Sequence, residues 1–168
     1  MSEIIVFTDG SYSKKNNKIL CGYGVYFPNK EIPNISAPLT TKPLTSQRAE
    51  LYAIYAALKA IEKYMLEIKN YGKKIIIYSD SQYSIKSLTI WIKKWKNNNW
   101  KSTTGKNVKN TDIIRAIDDC LGKKNVIFKH VRSHTEKTDF NSKGNEYADI
   151  LAKTGANAVG LSANTNGL

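Results

Sequence analysis

Residues 46–80 read SQRAELYAIYAALKAIEKYMLEIKNYGKKIIIYSD, and this stretch decides the fold class. Its first half repeats apolar residues at helical spacing, namely Leu51, Ile54, Leu58, Ile61 and Met65. Residues 75–78 then form an apolar run, which predicts a buried strand that stops at Asp80. A similar run at residues 4–7 precedes the helix and stops at the turn-forming residues Thr8-Asp9-Gly10-Ser11. The order strand–helix–strand predicts a parallel crossover and therefore an α/β fold.

The flanking segments complete a mixed sheet. Residues 22–27 and 35–39 are predicted strands that form an antiparallel meander with the first. Ser81 is the predicted N-cap of a further helix, a shorter helix follows over 113–121, and a last strand (126–128) and last helix (Glu146 to Lys153) end the pattern. The order β-β-β-α-β-α-α-β-α predicts a mixed five-stranded sheet with helices on both faces. We expect one domain over residues 1–155 and a loosely held polar tail over residues 156–168.

The composition favours a partner that carries negative charge. The 168 residues include 26 Lys and Arg against 14 Asp and Glu, a net charge of +12. Nucleic acid is the first expectation, with an anionic membrane surface or a solvated lysine-rich face as alternatives. The chain shows no secretory signal and no apolar run long enough to span a membrane. Cys21 and Cys120 are isolated, which predicts reduced thiols, a cytoplasmic location and no zinc site.

Four carboxylates are candidates for the chemistry. Asp9 and Asp80 stand where apolar strands run out, the edge at which α/β sheets bind ligands, although Asp80 could merely cap the next helix. Glu50 shares the buried stripe of its helix, where an ionised carboxylate is costly unless it is paired or bound to a metal. Arg48 is a poor partner because residues two apart do not face each other on a helix. Asp149, predicted near the start of the last helix, could simply favour the helix dipole.

Acids that converge on one sheet edge need a cation, because like charges a few ångströms apart repel. An all-oxygen site favours Mg²⁺ or Mn²⁺ over Zn²⁺. Two such ions can activate a water and stabilise the leaving oxygen when a phosphodiester is cleaved.

Five stretches resemble the type 1 ribonucleases H and occur in that family's order, across roughly residues 3 to 155. They are Thr8-Asp9-Gly10-Ser11, Thr45-Ser46-Gln47-Arg48-Ala49-Glu50-Leu51, Ser79-Asp80-Ser81-Gln82-Tyr83, His130-Val131-Arg132-Ser133-His134 and Gly144-Asn145-Glu146-Tyr147-Ala148-Asp149. The resemblance implies the ribonuclease H-like fold. It also implies an endonuclease that hydrolyses the RNA strand of RNA–DNA hybrids with two metal ions and leaves 5′-phosphate and 3′-hydroxyl ends.

The resemblance also implies roles for particular residues. The metal ligands would be Asp9, Glu50, Asp80 and Asp149, with two Mg²⁺ ions or Mn²⁺ as a substitute, and His134 would match the family's mobile-loop histidine. A basic protrusion over residues 91–101 would bind the substrate through Lys93, Lys94 and Lys96, while Tyr83 and Trp91 face the DNA strand and Trp95 is mainly structural. Thr45 and Asn110 would hold a DNA phosphate. Ser46, Gln47 and Asn16 would contact RNA 2′-hydroxyls, the groups that distinguish RNA from DNA.

The chain departs from the family pattern in two places. Pro43 stands where some members add an arginine to the phosphate pocket, and the loop from Thr135 to Lys143 looks longer than in many bacterial members. The chain, expected to act as a monomer, would grip the hybrid with the nuclease domain alone. Two other functions stay open, a junction resolvase or transposase-type nuclease of the same fold and a catalytically idle hybrid-binding protein.

Overall fold

In the computed structural model of the chain, which describes residues 3–158, five strands and their helices follow the predicted order. The strands are β1 (Ile4–Lys15), β2 (Lys18–Tyr26), β3 (Ile35–Pro38), β4 (Lys74–Ser79) and β5 (Asn125–His130). The helices are α1 (Ser46–Ile68), α2 (Gln82–Lys86), α3 (Ile92–Asn97), α4 (Thr111–Leu121) and α5 (Phe140–Asn157). A π-helical turn over Ser87–Trp91 joins α2 to α3.

The strands form a single mixed sheet in the order β3-β2-β1-β4-β5. β1, β2 and β3 pair antiparallel, whereas β4 lies parallel to both β1 and β5. The predicted meander and the predicted parallel crossover are therefore both confirmed. The β1–β4 pairing ends where Thr8 lies opposite Ser79. The next residue on each segment, Asp9 and Asp80, therefore lies at the same edge of the sheet.

Helices cover both faces of the sheet, as predicted. Alternate residues of β1 point to opposite faces, because successive side chains in a strand alternate. Ile4 and Val6 belong to the larger core with α1 and α4, whereas Phe7 belongs to a smaller core with Ala148 of α5.

Helix α1 begins where its sequence allows a cap. Thr45 has extended backbone angles, and its hydroxyl accepts a hydrogen bond from the Arg48 N–H at 3.1 Å. This is the usual way to satisfy a free N–H in the first helical turn. The helix ends at Lys69 in the left-handed conformation. The cap fixes the first turn of α1, directly before Glu50.

The prediction that β1 ends in a turn at Asp9-Gly10 is wrong. β1 continues to Lys15, and the actual turn is formed by Asn16 and Asn17, both with positive φ. Gly10 serves close packing instead, because a Cβ atom there would lie 2.5 Å from the Glu50 backbone nitrogen. Only the pairing of β1 with β4 stops near Asp9; the pairing with β2 continues to the hairpin.

The last helix is longer than predicted at both ends. It begins at Phe140 with Asp139 as the N-cap, so the predicted loop over 135–143 contributes its last residues to α5. Asp149 consequently lies in the middle of α5, where the helix dipole does not explain it. The helix also continues past the predicted domain boundary at 155, and Ala156 is buried. The rest of the predicted tail, residues 159–168, lies outside the described residues.

Across the part of the chain that the structure describes, no helix combines the length and the apolar character that crossing a membrane requires.

Candidate active site

Three of the four predicted carboxylates meet at one edge of the sheet. Asp9, Glu50 and Asp80 each offer an oxygen, and these oxygens all lie within 4.8 Å of one another. They come from three separate segments: β1, the N-terminal part of α1 and the residue after β4. Asp9 accepts a hydrogen bond from the Gly10 N–H at 2.9 Å, and its side chain is buried. The chain therefore brings three acids together in spite of their mutual repulsion.

Burial and mutual repulsion raise the pKa of all three acids. Burial is the largest cause for Asp9, followed by the charge of Glu50. Burial likewise raises the pKa of Glu50. Burial raises the pKa of Asp80 too, an effect that the Asn145 amide partly offsets. The ionised cluster is thus unfavourable without a positive partner.

One oxygen of the cluster is orphaned. Glu50 Oε2 is buried and has no hydrogen-bond partner among the described residues. A buried carboxylate oxygen without a partner is costly, because it has lost water and gained nothing in exchange. A divalent cation with oxygen ligands would satisfy this atom and neutralise its neighbours. The donor set therefore fits Mg²⁺ or Mn²⁺.

Asp149 lies beside this cluster without joining it. Its charge contributes to the raised pKa of Asp9, Glu50 and Asp80. One of its oxygens, however, makes an ion pair with Lys153 at 2.9 Å, one turn further along α5. The α5 segment that carries Asp149 packs closely on β2 at Gly24, because a Cβ atom there would lie 2.5 Å from the Ala148 carbonyl oxygen. The fourth predicted ligand is thus adjacent but engaged with a lysine.

Asn145 is a site residue that was assigned no role from the sequence. Its side chain is buried, and its amide N–H donates to Asp80 Oδ2 at 3.4 Å. Its own Oδ1 is buried without a hydrogen-bond partner among the described residues. Asn145 precedes Asp149 by four residues, so both lie on one face of α5. That spacing was the pattern that could have identified it.

His134 lies in the loop between β5 and α5, exposed and with a positive φ. It lines a cleft of ≈ 400 Å³ together with Asp80, Asn145 and Asp149. His130, expected to be structural, ends β5, and its Nε2 lies 3.3 Å from the Asp80 carbonyl oxygen. His134, the histidine that matches the family's mobile-loop histidine, therefore shares a cleft with Asp80 and Asp149.

Thr45 and Asn110 line a second cleft, of ≈ 560 Å³. Gln47, Lys42 and Lys109 share this cleft, and Ser46 lies exposed at the start of α1. Pro43, which stands where some family members have an arginine, also lines this cleft. Lys42 and Lys109 therefore supply positive charge in a cleft that lacks that arginine. Arg48, although it lines the same cleft, is held by Asp112 through two hydrogen bonds of 2.9 and 2.6 Å.

The protrusion is built on a row of aromatic rings. The row runs through Tyr83, Trp91, Trp95 and Trp100, with neighbouring centroids 6.0 to 6.4 Å apart. Tyr83 accepts a hydrogen bond from the Asn110 side chain at 3.1 Å, which connects this row to the second cleft. Trp95 packs against the main core.

The lysines of the protrusion differ in their surroundings. Lys93 and Lys94 are exposed on α3. Lys96 makes an ion pair with Asp118 of α4 at 2.6 Å, so it joins the protrusion to the body of the protein. The Lys96 side chain is still 48% exposed, so its role as a substrate contact stays a prediction.

Asn16 stands apart from the other predicted contacts. It forms the turn of the β1–β2 hairpin with φ 51°, and Lys15 before it pairs with Lys18. Lys15 lies six positions after Asp9 along the extended strand β1, which places the turn about 20 Å from the carboxylates.

Comparisons with known proteins agree with this geometry. The family model described as RNase H matches residues 1–157. Ribonuclease H of Schizosaccharomyces pombe is 40% identical over 153 residues, which cover 90% of this chain and 52% of that protein. Ribonuclease H of Haemophilus influenzae is 34% identical over 154 residues, which cover 92% of this chain and 90% of the relative. The chain thus spans about half the length of the first relative and most of the second.

The solved PFV RNase H domain shares the fold with a TM-score of 0.73 at 26% identity, over 93% of this chain and 95% of that one.

Proposed function

The chain belongs to the ribonuclease H family, and on that basis we propose that it is an endonuclease that hydrolyses the RNA strand of RNA–DNA hybrids. The observation that carries the proposal is the meeting of Asp9, Glu50 and Asp80 within 4.8 Å, with one buried Glu50 oxygen unpartnered. An idle binding protein would have no reason to keep three repelling acids together.

The carboxylates would hold two Mg²⁺ ions, with Mn²⁺ as a possible substitute. Asp9 and Glu50 are positioned by the close contact at Gly10, and Asp80 is held by Asn145. Asp149 would complete the ligand set after it releases Lys153. Divalent ions bound there would supply the positive charge that activates a water and neutralises the leaving oxygen. The proposed products carry 5′-phosphate and 3′-hydroxyl ends.

His134 is the proposed proton carrier. An imidazole can take up and release a proton near neutral pH, and this one lines the cleft with Asp80 and Asp149. Its loop lies between β5 and α5, so the ring can turn toward the leaving group without disturbing the sheet.

The remaining proposed contacts divide between the two strands of the hybrid. Thr45 and Asn110 would bind a DNA phosphate, with Lys42 and Lys109 supplying charge in the same cleft. Tyr83 and Trp91 would face the DNA strand as well, and Lys93, Lys94 and Lys96 would contact phosphates of the substrate. Ser46, Gln47 and Asn16 would contact RNA 2′-hydroxyls.

We also propose that the protein acts as a monomer in the cytoplasm, where its two buried free thiols stay reduced.

The test is an assay of one labelled RNA as a hybrid, as duplex RNA and as a single strand, with and without Mg²⁺. We expect that the RNA is cleaved in the hybrid but not as duplex RNA or as a single strand, and that cleavage requires Mg²⁺. Asp9→Asn should abolish cleavage while binding of the hybrid remains, because Asp9 would bind metal rather than substrate. Asp119→Asn, which removes an exposed acid of α4, is the matched control and should cleave normally. Full activity of Asp9→Asn in Mg²⁺ would refute the metal site.

A further inference from the structure

The end of the β1–β2 hairpin projects beyond the rest of the sheet. β1 pairs with β4 only as far as Thr8, and β2 pairs with β3 only from Gly22 onward. The Cys21 carbonyl oxygen still accepts a hydrogen bond from the Leu39 N–H, so only from Ser13 to the turn do the two strands pair with each other alone. Helix α5 supports this ribbon, because Lys153 and Ala156 line a pocket with Ser13 and Leu20. The packing therefore accounts for the ribbon itself, and the feature that needs an explanation is the charge at its tip.

Positive charge is concentrated at the tip of this ribbon. Lys14, Lys15 and Lys18 are all exposed there, and no acidic residue occurs in the sequence between Asp9 and Glu31. Lys15 and Lys18 are directly opposite each other in the register. Like charges directly opposite on neighbouring strands destabilise a hairpin. The tip is thus an arrangement that repels itself unless a polyanion binds to it.

The geometry connects this tip to the active site. The same strand that carries Asp9 continues without a break into Lys14 and Lys15. The two-residue turn of Asn16 and Asn17, with positive φ at both positions, matches the turn type that fits the twist of a paired ribbon. The lysines therefore stand about 20 Å from the carboxylates on a continuous paired element.

We propose that this basic tip, defined as Lys14, Lys15 and Lys18, is a second electrostatic contact for the phosphate backbone of the nucleic acid that is bound at the active site. The inference rests on the proposed function, because it takes the hybrid as the bound polyanion. The tip contributes affinity without reading sequence, since lysines that neutralise phosphates act by releasing counterions.

The competing explanation is structural. Lysines at exposed strands can prevent edge-to-edge pairing between molecules. The two explanations differ in what removing the charge does. Loss of a phosphate contact changes the salt dependence of binding, whereas loss of edge protection changes self-association.

The experiment measures binding of a labelled RNA–DNA hybrid to the full chain by fluorescence anisotropy, in EDTA to prevent cleavage, from 50 to 300 mM salt. In the variant Lys14→Gln/Lys15→Gln/Lys18→Gln the slope of log K against log salt should become shallower by about 2 to 3 units, at about 0.9 per lost contact. The control variant Lys63→Gln/Lys69→Gln/Lys123→Gln removes the same charge from exposed sites on α1 and the α4–β5 loop. Its slope should equal that of the wild type.

A second variant separates binding from stability. Lys15→Glu replaces the like-charged pair at the tip with an opposite pair, so the thermal unfolding temperature should stay the same or rise. Its hybrid affinity should nevertheless fall, together with the salt slope. A role in folding alone would make stability and binding change in the same direction.

An unchanged salt slope in the triple variant would overturn the proposal, whether or not sedimentation shows that the variant self-associates. This failure is distinguishable from failure of the proposed function. In the first case the wild type still binds and cleaves the hybrid; in the second it does not cleave the hybrid in Mg²⁺.

Discussion

Replacing Asp9 with asparagine should make the metal-free protein more stable. Asp9 is 3% exposed, and burial together with the charge of Glu50 raises its pKa from the ordinary 3.8. If the folded protein keeps this acid protonated at pH 7, the penalty is about 1.4 kcal/mol for each of roughly three pH units, or about 4 kcal/mol. The amide must still find hydrogen-bond partners, so the expected net gain is about 2 to 4 kcal/mol.

The repulsion in the site supports the same magnitude. Two unit charges 4.8 Å apart interact by about 3 to 4 kcal/mol at an effective dielectric constant near 20. Asp9 has two such neighbours, Glu50 and Asp80, and partial protonation of the three acids lowers the total repulsion energy. A gain of a few kcal/mol in the free energy of unfolding is therefore consistent with both estimates.

The pH dependence has a definite sign. Because the folded-state pKa of Asp9 is raised, the penalty is absent below the unfolded-state pKa near 4 and grows as the pH rises toward the folded-state value. Metal-free wild type should therefore lose stability as the pH rises above about 4. The Asp9→Asn variant should show a flatter profile.

The assay is thermal unfolding in EDTA and in excess Mg²⁺, from pH 5 to 9. In EDTA at pH 7 the variant should unfold about 5 to 15 °C above the wild type, and Mg²⁺ should stabilise the wild type more than the variant. The exposed-site control Asp119→Asn should leave the unfolding temperature unchanged. A lower unfolding temperature for Asp9→Asn in EDTA, or an unaltered pH profile, would refute the view that the three acids destabilise the metal-free fold.

Three further changes test other parts of the structure. Asp112→Ala should lower the free energy of unfolding by about 2 kcal/mol in urea titrations, because Arg48 is buried and loses both of its hydrogen bonds; an unchanged midpoint would contradict this. Since Arg48 lowers the pKa of Asp112, the wild type should also lose this contribution as the pH falls below about 4. Lys93→Gln/Lys94→Gln should flatten the salt dependence of hybrid binding by up to about 2 units, and an unchanged slope would show that α3 points away from the substrate. Gly10→Ala should reduce both stability and hydrolysis, because its Cβ would lie 2.5 Å from a backbone atom of α1; a normal unfolding temperature would show that the helix can shift freely.

The sequence predicted the elements that periodicity controls. The apolar stripe of α1 and the buried run of β4 were sufficient to predict the parallel crossover, since helical spacing indicates the first and a short run of β-branched residues indicates the second. The crossover in turn predicted that Asp9 and Asp80 lie near each other. Glu50 was predicted from its place on the buried stripe, and its buried oxygen confirms that position.

Other features depended on contacts between distant segments. Asp9-Gly10 resembles a turn in the sequence, yet Gly10 is a point of close approach to α1. Lys96 resembles any lysine of the protrusion, and only the packing of α4 shows its ion pair with Asp118. Local patterns contain no information on such distant pairs. The ion pair of Asp149 with Lys153 is different, because its spacing of four residues on one helix is visible in the sequence.

The three acids of the cluster belong to segments that are far apart in the chain and meet through the β1–β4 pairing and the packing of α1 on β1. During synthesis, the N-terminal strand emerges long before β4 and Asp80 are available. A nascent chain that ends before residue 80 consequently has no complete cluster with which to bind metal. On the proposed function, the chain would therefore gain nuclease activity only after its first half has been translated, because the order of its segments delays the cluster until β4 has been made.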